Sequence, residues 1–313
     1  LVVDLSVEIA GIKMQNPVLV ASGTFGSGVE YAPVFDVSKL GALVTKGLTL
    51  NPCPGNEPPR ICETPAGLLN AIGLQNPGVE SFIDDILPQM LDFGIPVIAN
   101  IAGRTKEEFI ALAERLTDTG VAGLEMNISC PNVKAGGMAL GTVPEAAAEI
   151  VEAVVQSTDL PVIVKLTPNV TDIVGLARAV ADAGAHALSL INTLLGMAID
   201  VEARKPVLGN VTGGLSGPAI RPVAVRAVWA VSQAVDLPII GMGGICTGRD
   251  ALEFILAGAS AVAVGSAFFH DPLAAVKIIE DLQSYCTRNK IEGLRCLVGT
   301  AWKKQGCKER KEN

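Results

Sequence analysis

Residues 161–193 read PVIVKLTPNVTDIVGLARAVADAGAHALSLINT, and this stretch decides the fold. Val162–Leu166 is a short apolar run rich in β-branched residues, the composition of a strand covered on both faces. Asp172–Ala183 follows, with Ala, Leu and Val at helical spacing, and Ala187–Ile191 is a second strand-like run. Strand, helix, strand in this order is a βα repeat of the kind that builds parallel sheets.

Working outward, the same unit recurs. The other strand candidates are Val18–Ala21, Leu43–Lys46, Val97–Ile101, Gly123–Asn127, Ile239–Gly241 and Ala261–Val264. Helical spacing appears at Gly78–Asp92, Thr105–Thr119, Pro144–Thr158, Pro218–Ala234, Thr247–Ala257 and Asp271–Tyr285. Eight near-continuous apolar strands favour a closed (β/α)8 TIM barrel of the α/β class over an open doubly wound sheet. Ahead of them, Val7–Ile9 and Ile12–Met14 flank Gly11 as a hairpin expected to plug the barrel floor. The connections at roughly 47–77, 128–143 and 192–216 are long and rich in Gly, Pro and Asn. In a barrel all three rise over the C-terminal face. No linker separates two cores, so residues 1–313 are read as one domain.

Composition excludes several classes of function. The 313 residues are 49% hydrophobic, with a net charge of −8 and a pI near 4.9. The one basic cluster, from Lys303 to Lys311, is interrupted by Glu309, so nucleic acid is not an expected partner. No apolar run reaches the roughly 18 residues that span a bilayer, and the N-terminus lacks a signal-peptide pattern. A soluble, cytoplasmic protein with no membrane contact is expected. Seven scattered cysteines without a CxxC pair suggest reduced thiols and no metal centre. Two histidines, His186 and His270, leave little room for histidine-based proton chemistry.

The residues at the strands' C-terminal ends carry the chemistry. In order they are Ser22, Lys46, Asn100, Asn127 with Ser129 and Cys130, Lys165, Asn192 with Thr193, Gly243–Gly244, and Gly265–Ser266. The glycine pairs after the last two strands stand where barrels often bind phosphate, although tight turns need glycine too. Lys46 and Lys165 suit either a Schiff base or stabilisation of a developing anion; the bland alternative is pairing with a carboxylate, of which Glu125 is nearest in sequence. Asn70, Asn127 and Asn192 each offer a donor and an acceptor to a planar ring with alternating C=O and N–H groups. Cys130 lies in NISCPN at the catalytic face, where a thiolate can serve as base or nucleophile.

These motifs fall in an order that resembles a known family. TKGLTLNPCPGNEPPR (45–60), NAIGLQNPG (70–78), NISCPNVKAGG (127–137), VKLTPN (164–169), INT (191–193), RKPVLGNVTGGLSGPAI (204–220), GMGGI (241–245) and VGSAFF (264–269) resemble class 1B dihydroorotate dehydrogenases, from about Leu5 to Leu282. The resemblance implies FMN-dependent oxidation of dihydroorotate to orotate in pyrimidine biosynthesis, with Cys130 as the base for the C5 proton. It implies Lys46, Asn70, Gly73, Leu74, Asn127, Asn192 and Thr193 as pyrimidine contacts. For FMN it implies Ser22, Lys46, Gly47, Asn100, Asn127, Lys165, Ile191, Gly217, Gly243, Gly244, Gly265 and Ser266. It further implies an electron-transfer partner carrying FAD and a [2Fe–2S] cluster, with NAD as acceptor and a homodimer at the core of a heterotetramer. The chain itself lacks both a GxGxxG fingerprint and an iron–sulfur cysteine pattern. A flavin-free Schiff-base lyase using Lys165, a non-catalytic flavin subunit and a class 1 relative with another electron acceptor remain alternatives. Residues 286–313 depart from the family pattern and are expected to form a polar, partly disordered tail.

Overall fold

Both faces of each apolar run are covered because the eight runs pair in parallel as one ring. The computed structural model describes residues 3–129, 134–135 and 138–303. Its barrel strands are Val18–Val20, Leu43–Val44, Val97–Ile101, Gly123–Asn127, Val162–Lys165, Ala187–Leu190, Ile239–Met242 and Ala261–Val264. Parallel ladders join them in chain order from the second to the eighth, and the eighth pairs with the first. A parallel bridge between Leu19 and Ala42 closes the remaining seam, where Gly41 N donates to Val18 O at 2.8 Å.

Alternation along the strands divides the core in two. Leu19, Val44, Ile98, Ile163, Ala187, Ile240 and Ala261 fill the barrel and meet Val7, Ile9, Ile12 and Met14 of the hairpin, which forms the expected floor plug. The opposite parity, including Val18, Val97, Leu124, Val162 and Leu188, packs under the helices. Two residues further along, the inward positions turn polar: Asn100, Glu125, Lys165 and Ser189. The barrel is therefore apolar at its floor and polar towards its C-terminal face.

Helices at Lys106–Leu116, Pro144–Ser157, Ile173–Asp182, Arg221–Ser232, Gly248–Ala257 and Ala274–Arg288 surround the ring. Several starts are fixed by side chains that accept otherwise unpaired N–H groups. Thr105 accepts from Glu108 N, Asp172 from Val174 N and Gly175 N, and Thr247 forms a reciprocal capping box with Asp250. The segment after the second strand is less regular, with a π-helical turn at Phe82–Ile86 between two short α pieces.

Two expectations are revised. Insertions 47–77 and 192–216, read as separate loops, share one antiparallel sheet ordered Leu194–Gly196, Gly213–Ser216, Gly67–Asn70 and Ile61–Thr64. The described part of the expected 286–313 tail is built into the fold. Leu294 and Leu297 are buried, Asp4 and Leu294 N–H groups bond Glu292 and Asp4 carbonyls, and Trp302 Nε1 donates to Ala257 O at 3.0 Å. These apolar side chains and the parallel bridge from Asp4 to Gly293 anchor it; residues 304–313 lie outside the described part.

Candidate active site

The barrel brings the rim residues to one mouth by topology alone. Ser22, Lys46, Asn100, Asn127, Lys165, Ile191, Gly243 and Gly265 each sit within two residues of a strand's C-terminal end or at it. Ala21 N donates to Val264 O at 2.7 Å, which draws Ser22 and Ser266 to adjoining strand ends. Lys46 runs over Gly23, where a Cβ would lie only 3.1 Å from Nζ. Cys130 lies outside the described residues.

Below the mouth is a buried polar cluster. Lys165 Nζ lies 3.6 Å from Glu125 Oε2, which also accepts from Asn100 Nδ2 at 2.5 Å, while Ser189 Oγ donates to Glu125 Oε1 at 2.7 Å. Lys165 is thus an ion-paired cation rather than a free amine, which speaks for charge stabilisation over Schiff-base chemistry. Among the described residues no carboxylate pairs with Lys46. Burial pushes its ammonium below the ordinary lysine value, the positive charge of Lys165 pushes the same way, and Cys53 opposes them.

The roof sheet supplies the other polar contacts. Asn70 Nδ2 donates to Gly214 O at 3.2 Å, and Gly214 leaves room for Thr193, whose Oγ1 would lie 2.1 Å from a Cβ there. Asn192 Nδ2 donates to Asn127 Oδ1 at 3.3 Å and Thr193 N to Asn192 Oδ1 at 2.8 Å. Leu74 and Asn100 both close on Gly47, at 3.2 and 3.0 Å from a built Cβ. Gly73, at positive φ, has no room for a Cβ against Asn56, and its carbonyl accepts from Cys53 Sγ at 3.4 Å, beside Lys46.

Three side chains that sequence reasoning passed over hold this arrangement. Asn169 donates to Thr193 O at 3.0 Å and accepts from Leu195 N at 2.9 Å, tying the roof to the fifth strand. Asp250 accepts from Cys246 N and Thr247 N and pairs with Arg221, bracing the turn after Gly243–Gly244. Ser189 completes the Glu125 cluster. A polar residue within ALSL, like the glutamate within GLEMN, was the available signal, since the rest of those strands is apolar.

Two features ask for a ligand. Asn100 is fully buried, yet its Oδ1 has no hydrogen-bond partner among the described residues, so an N–H donor must come from elsewhere. Gly244, at φ +78°, could carry no side chain, because a Cβ would meet Gly217 O at 2.6 Å and Arg221 Cβ at 2.9 Å. Gly217 and Gly243 also stand at positive φ, so the backbone itself, without side chains, lines this corner of the barrel mouth, where barrels often bind phosphate. A flavin mononucleotide, with N–H and C=O groups on its ring and a phosphate at the other end, fits these demands. Among the described residues no cluster of His, Cys, Asp or Glu could hold a metal, and no helix is long and apolar enough to cross a membrane.

Fold and site together define a (β/α)8 barrel with a lysine- and asparagine-lined mouth next to a corner lined by glycine backbone. The chain belongs to the dihydroorotate dehydrogenase family, whose model matches residues 4–286. It is 61% identical to the dihydroorotate dehydrogenase B (NAD(+)) catalytic subunit of Desulforudis audaxviator, over 97% of this chain and 99% of that protein. The catalytic subunits so named from Citrifermentans bemidjiense and Geobacter sulfurreducens are 59% and 56% identical, each over 95% of this chain and 97% of the relative.

Proposed function

We propose that this chain is the catalytic subunit of an NAD-linked dihydroorotate dehydrogenase, oxidising dihydroorotate to orotate with FMN on the barrel rim. The observation that carries the reading is the buried, donorless Oδ1 of Asn100 beside the Lys46 and Lys165 pair. Ser22, Lys46, Gly47, Asn100, Asn127, Lys165, Ile191, Gly217, Gly243, Gly244, Gly265 and Ser266 hold FMN. Lys46, Asn70, Gly73, Leu74, Asn127, Asn192 and Thr193 hold the pyrimidine. When bound, FMN supplies the two-electron acceptor for the C6 hydride.

The protein's own task is proton handling, orientation and charge. Cys130 takes the C5 proton as thiolate, since neither histidine belongs to the rim. Asparagine amides fix the ring by donating to its carbonyls and accepting from its N–H groups, which holds C5 towards the base. The lysine charges would stabilise the negative charge that a bound flavin takes up with the hydride, which balances the charge the Cys130 thiolate loses on accepting the C5 proton. The whole chain acts as one FMN-binding domain.

Electrons leave through a second subunit bearing FAD and a [2Fe–2S] cluster, in a heterotetramer built on a homodimer of this chain. The word "subunit" in the relatives' names and the missing nicotinamide fingerprint support this. Stopped-flow mixing tests it. The isolated chain is expected to form orotate with an artificial acceptor and to react slowly with NADH, and rapid NADH oxidation appears only with the partner. Fast reduction of the isolated chain by NADH would contradict the assignment.

A further inference from the structure

One buried group has no place among the substrate or cofactor contacts above. Glu125 is 1% exposed in the middle of the fourth strand. Groups from three other strands converge on it: Asn100 from the third, Lys165 from the fifth and Ser189 from the sixth. Oε2 receives Asn100 and Lys165 while Oε1 receives Ser189, so the carboxylate cannot turn without losing a partner. Burying a carboxylate costs several kcal/mol unless it is paired and hydrogen-bonded, and here both conditions are met. A simpler packing solution would have been an apolar residue, as at the neighbouring Leu124 and Met126.

The charge count gives the arrangement a purpose. Among the described residues of the mouth, Lys46 and Lys165 bring two positive charges and Glu125 one negative charge, so these three groups sum to one positive charge. Asp250, the other buried acidic side chain described, is occupied by Arg221.

We propose that Glu125 is a positioning residue for the flavin chemistry: its carboxylate pins the Lys165 ammonium and cancels one of the two lysine charges, setting the electrostatic bias towards reduced FMN. The proposal rests on the flavin reading and extends it to a residue that touches neither substrate nor cofactor.

The test is the two-electron midpoint potential, by dye equilibration, of the FMN-loaded full chain as wild type, Glu125→Gln, Lys165→Met and the double variant. Glutamine retains an acceptor for Asn100 and Lys165 and removes the charge. Preference for reduced over oxidised FMN is expected to rise at least about tenfold in Glu125→Gln, a rise of about 30 mV. With Lys165→Met already present, the same substitution is expected to change it less than about threefold, because a buried carboxylate without its cation is neutralised by a proton. An unmoved or lowered potential, or an equal shift in both backgrounds, overturns the proposal. Should Glu125→Gln fail to fold, the double variant removes both charges and is expected to fold; its failure where Lys165→Met alone folds overturns the proposal as well. Wild-type protein that takes up no FMN ends the flavin reading and this proposal with it, whereas FMN uptake with an unmoved potential ends the proposal alone.

Discussion

The floor and the mouth of this barrel are built from the same eight strands, two or three residues apart, yet they follow opposite rules. At the floor, Ile98, Ile163, Ile240 and the hairpin residues Ile9 and Ile12 form an apolar layer. At the mouth, Asn100, Glu125, Lys165 and Ser189 replace aliphatic side chains at the same inward parity, and Asn100 keeps an acceptor without a partner among the described residues. Burial of polar groups is costly unless they are paired. The floor can carry the stability that allows the mouth to hold charge and incomplete pairing for a ligand. Changes at the two ends should accordingly separate function from folding.

The largest expected effect is at the mouth. Cys130→Ala should retain FMN and bind orotate, yet lose flavin reduction by dihydroorotate by about two to four orders of magnitude, the usual contribution of a general base. Anaerobic stopped-flow absorbance reads this directly, and near-wild-type reduction would move the base elsewhere. Next comes the floor. Ile9→Ala removes a fully buried side chain and should cost about 2–5 kcal/mol in denaturant unfolding. Orotate affinity, measured where the variant is still folded, should not change; weakened binding would mean that the two ends are coupled.

Lys46 makes the mouth sensitive to pH. Its proton is held less tightly in the folded chain than the ordinary 10.5, because of burial and then Lys165. Between the lowered value and 10.5 the unfolded chain binds more protons, so this group adds stability as pH rises through that window. Binding of anionic orotate has the opposite sign, since it needs the charged form. Affinity should fall as pH rises past the lowered value, approaching about tenfold per pH unit. Calorimetric titrations across that range should show the slope in wild type and its absence in Lys46→Met. The smallest effect is away from both ends: Trp302→Phe removes the bond to Ala257 O and should cost about 1 kcal/mol, with no change in flavin properties. A spectral shift of bound FMN in that variant would contradict the division.

The same contrast explains what could be read from sequence. The eight strands were legible because a parallel strand covered on both faces must be apolar throughout, and the polar residue ending each run marks the mouth. Lys46, Asn100, Asn127 and Lys165 therefore announced themselves. The roof sheet did not, because its pairing of Asn70 with Gly214 joins residues 144 apart through short strands rich in glycine. Glu125 was visible as a charge inside an apolar strand, but its partners depend on register: Asn100 stands opposite it on the third strand and Ser189 reaches it from the sixth. Likewise, Leu294 and Leu297 give little signal within a polar stretch, and their anchorage depends on Asp4 at the other end of the chain.

Binding of FMN at the mouth and its reduction by dihydroorotate are read together in the visible absorbance spectrum of the purified full chain before and after anaerobic dihydroorotate. A yellow protein is expected, with an oxidised flavin band that bleaches when dihydroorotate is added. A colourless chain that FMN cannot restore, or a flavin band that dihydroorotate leaves unchanged, would contradict it.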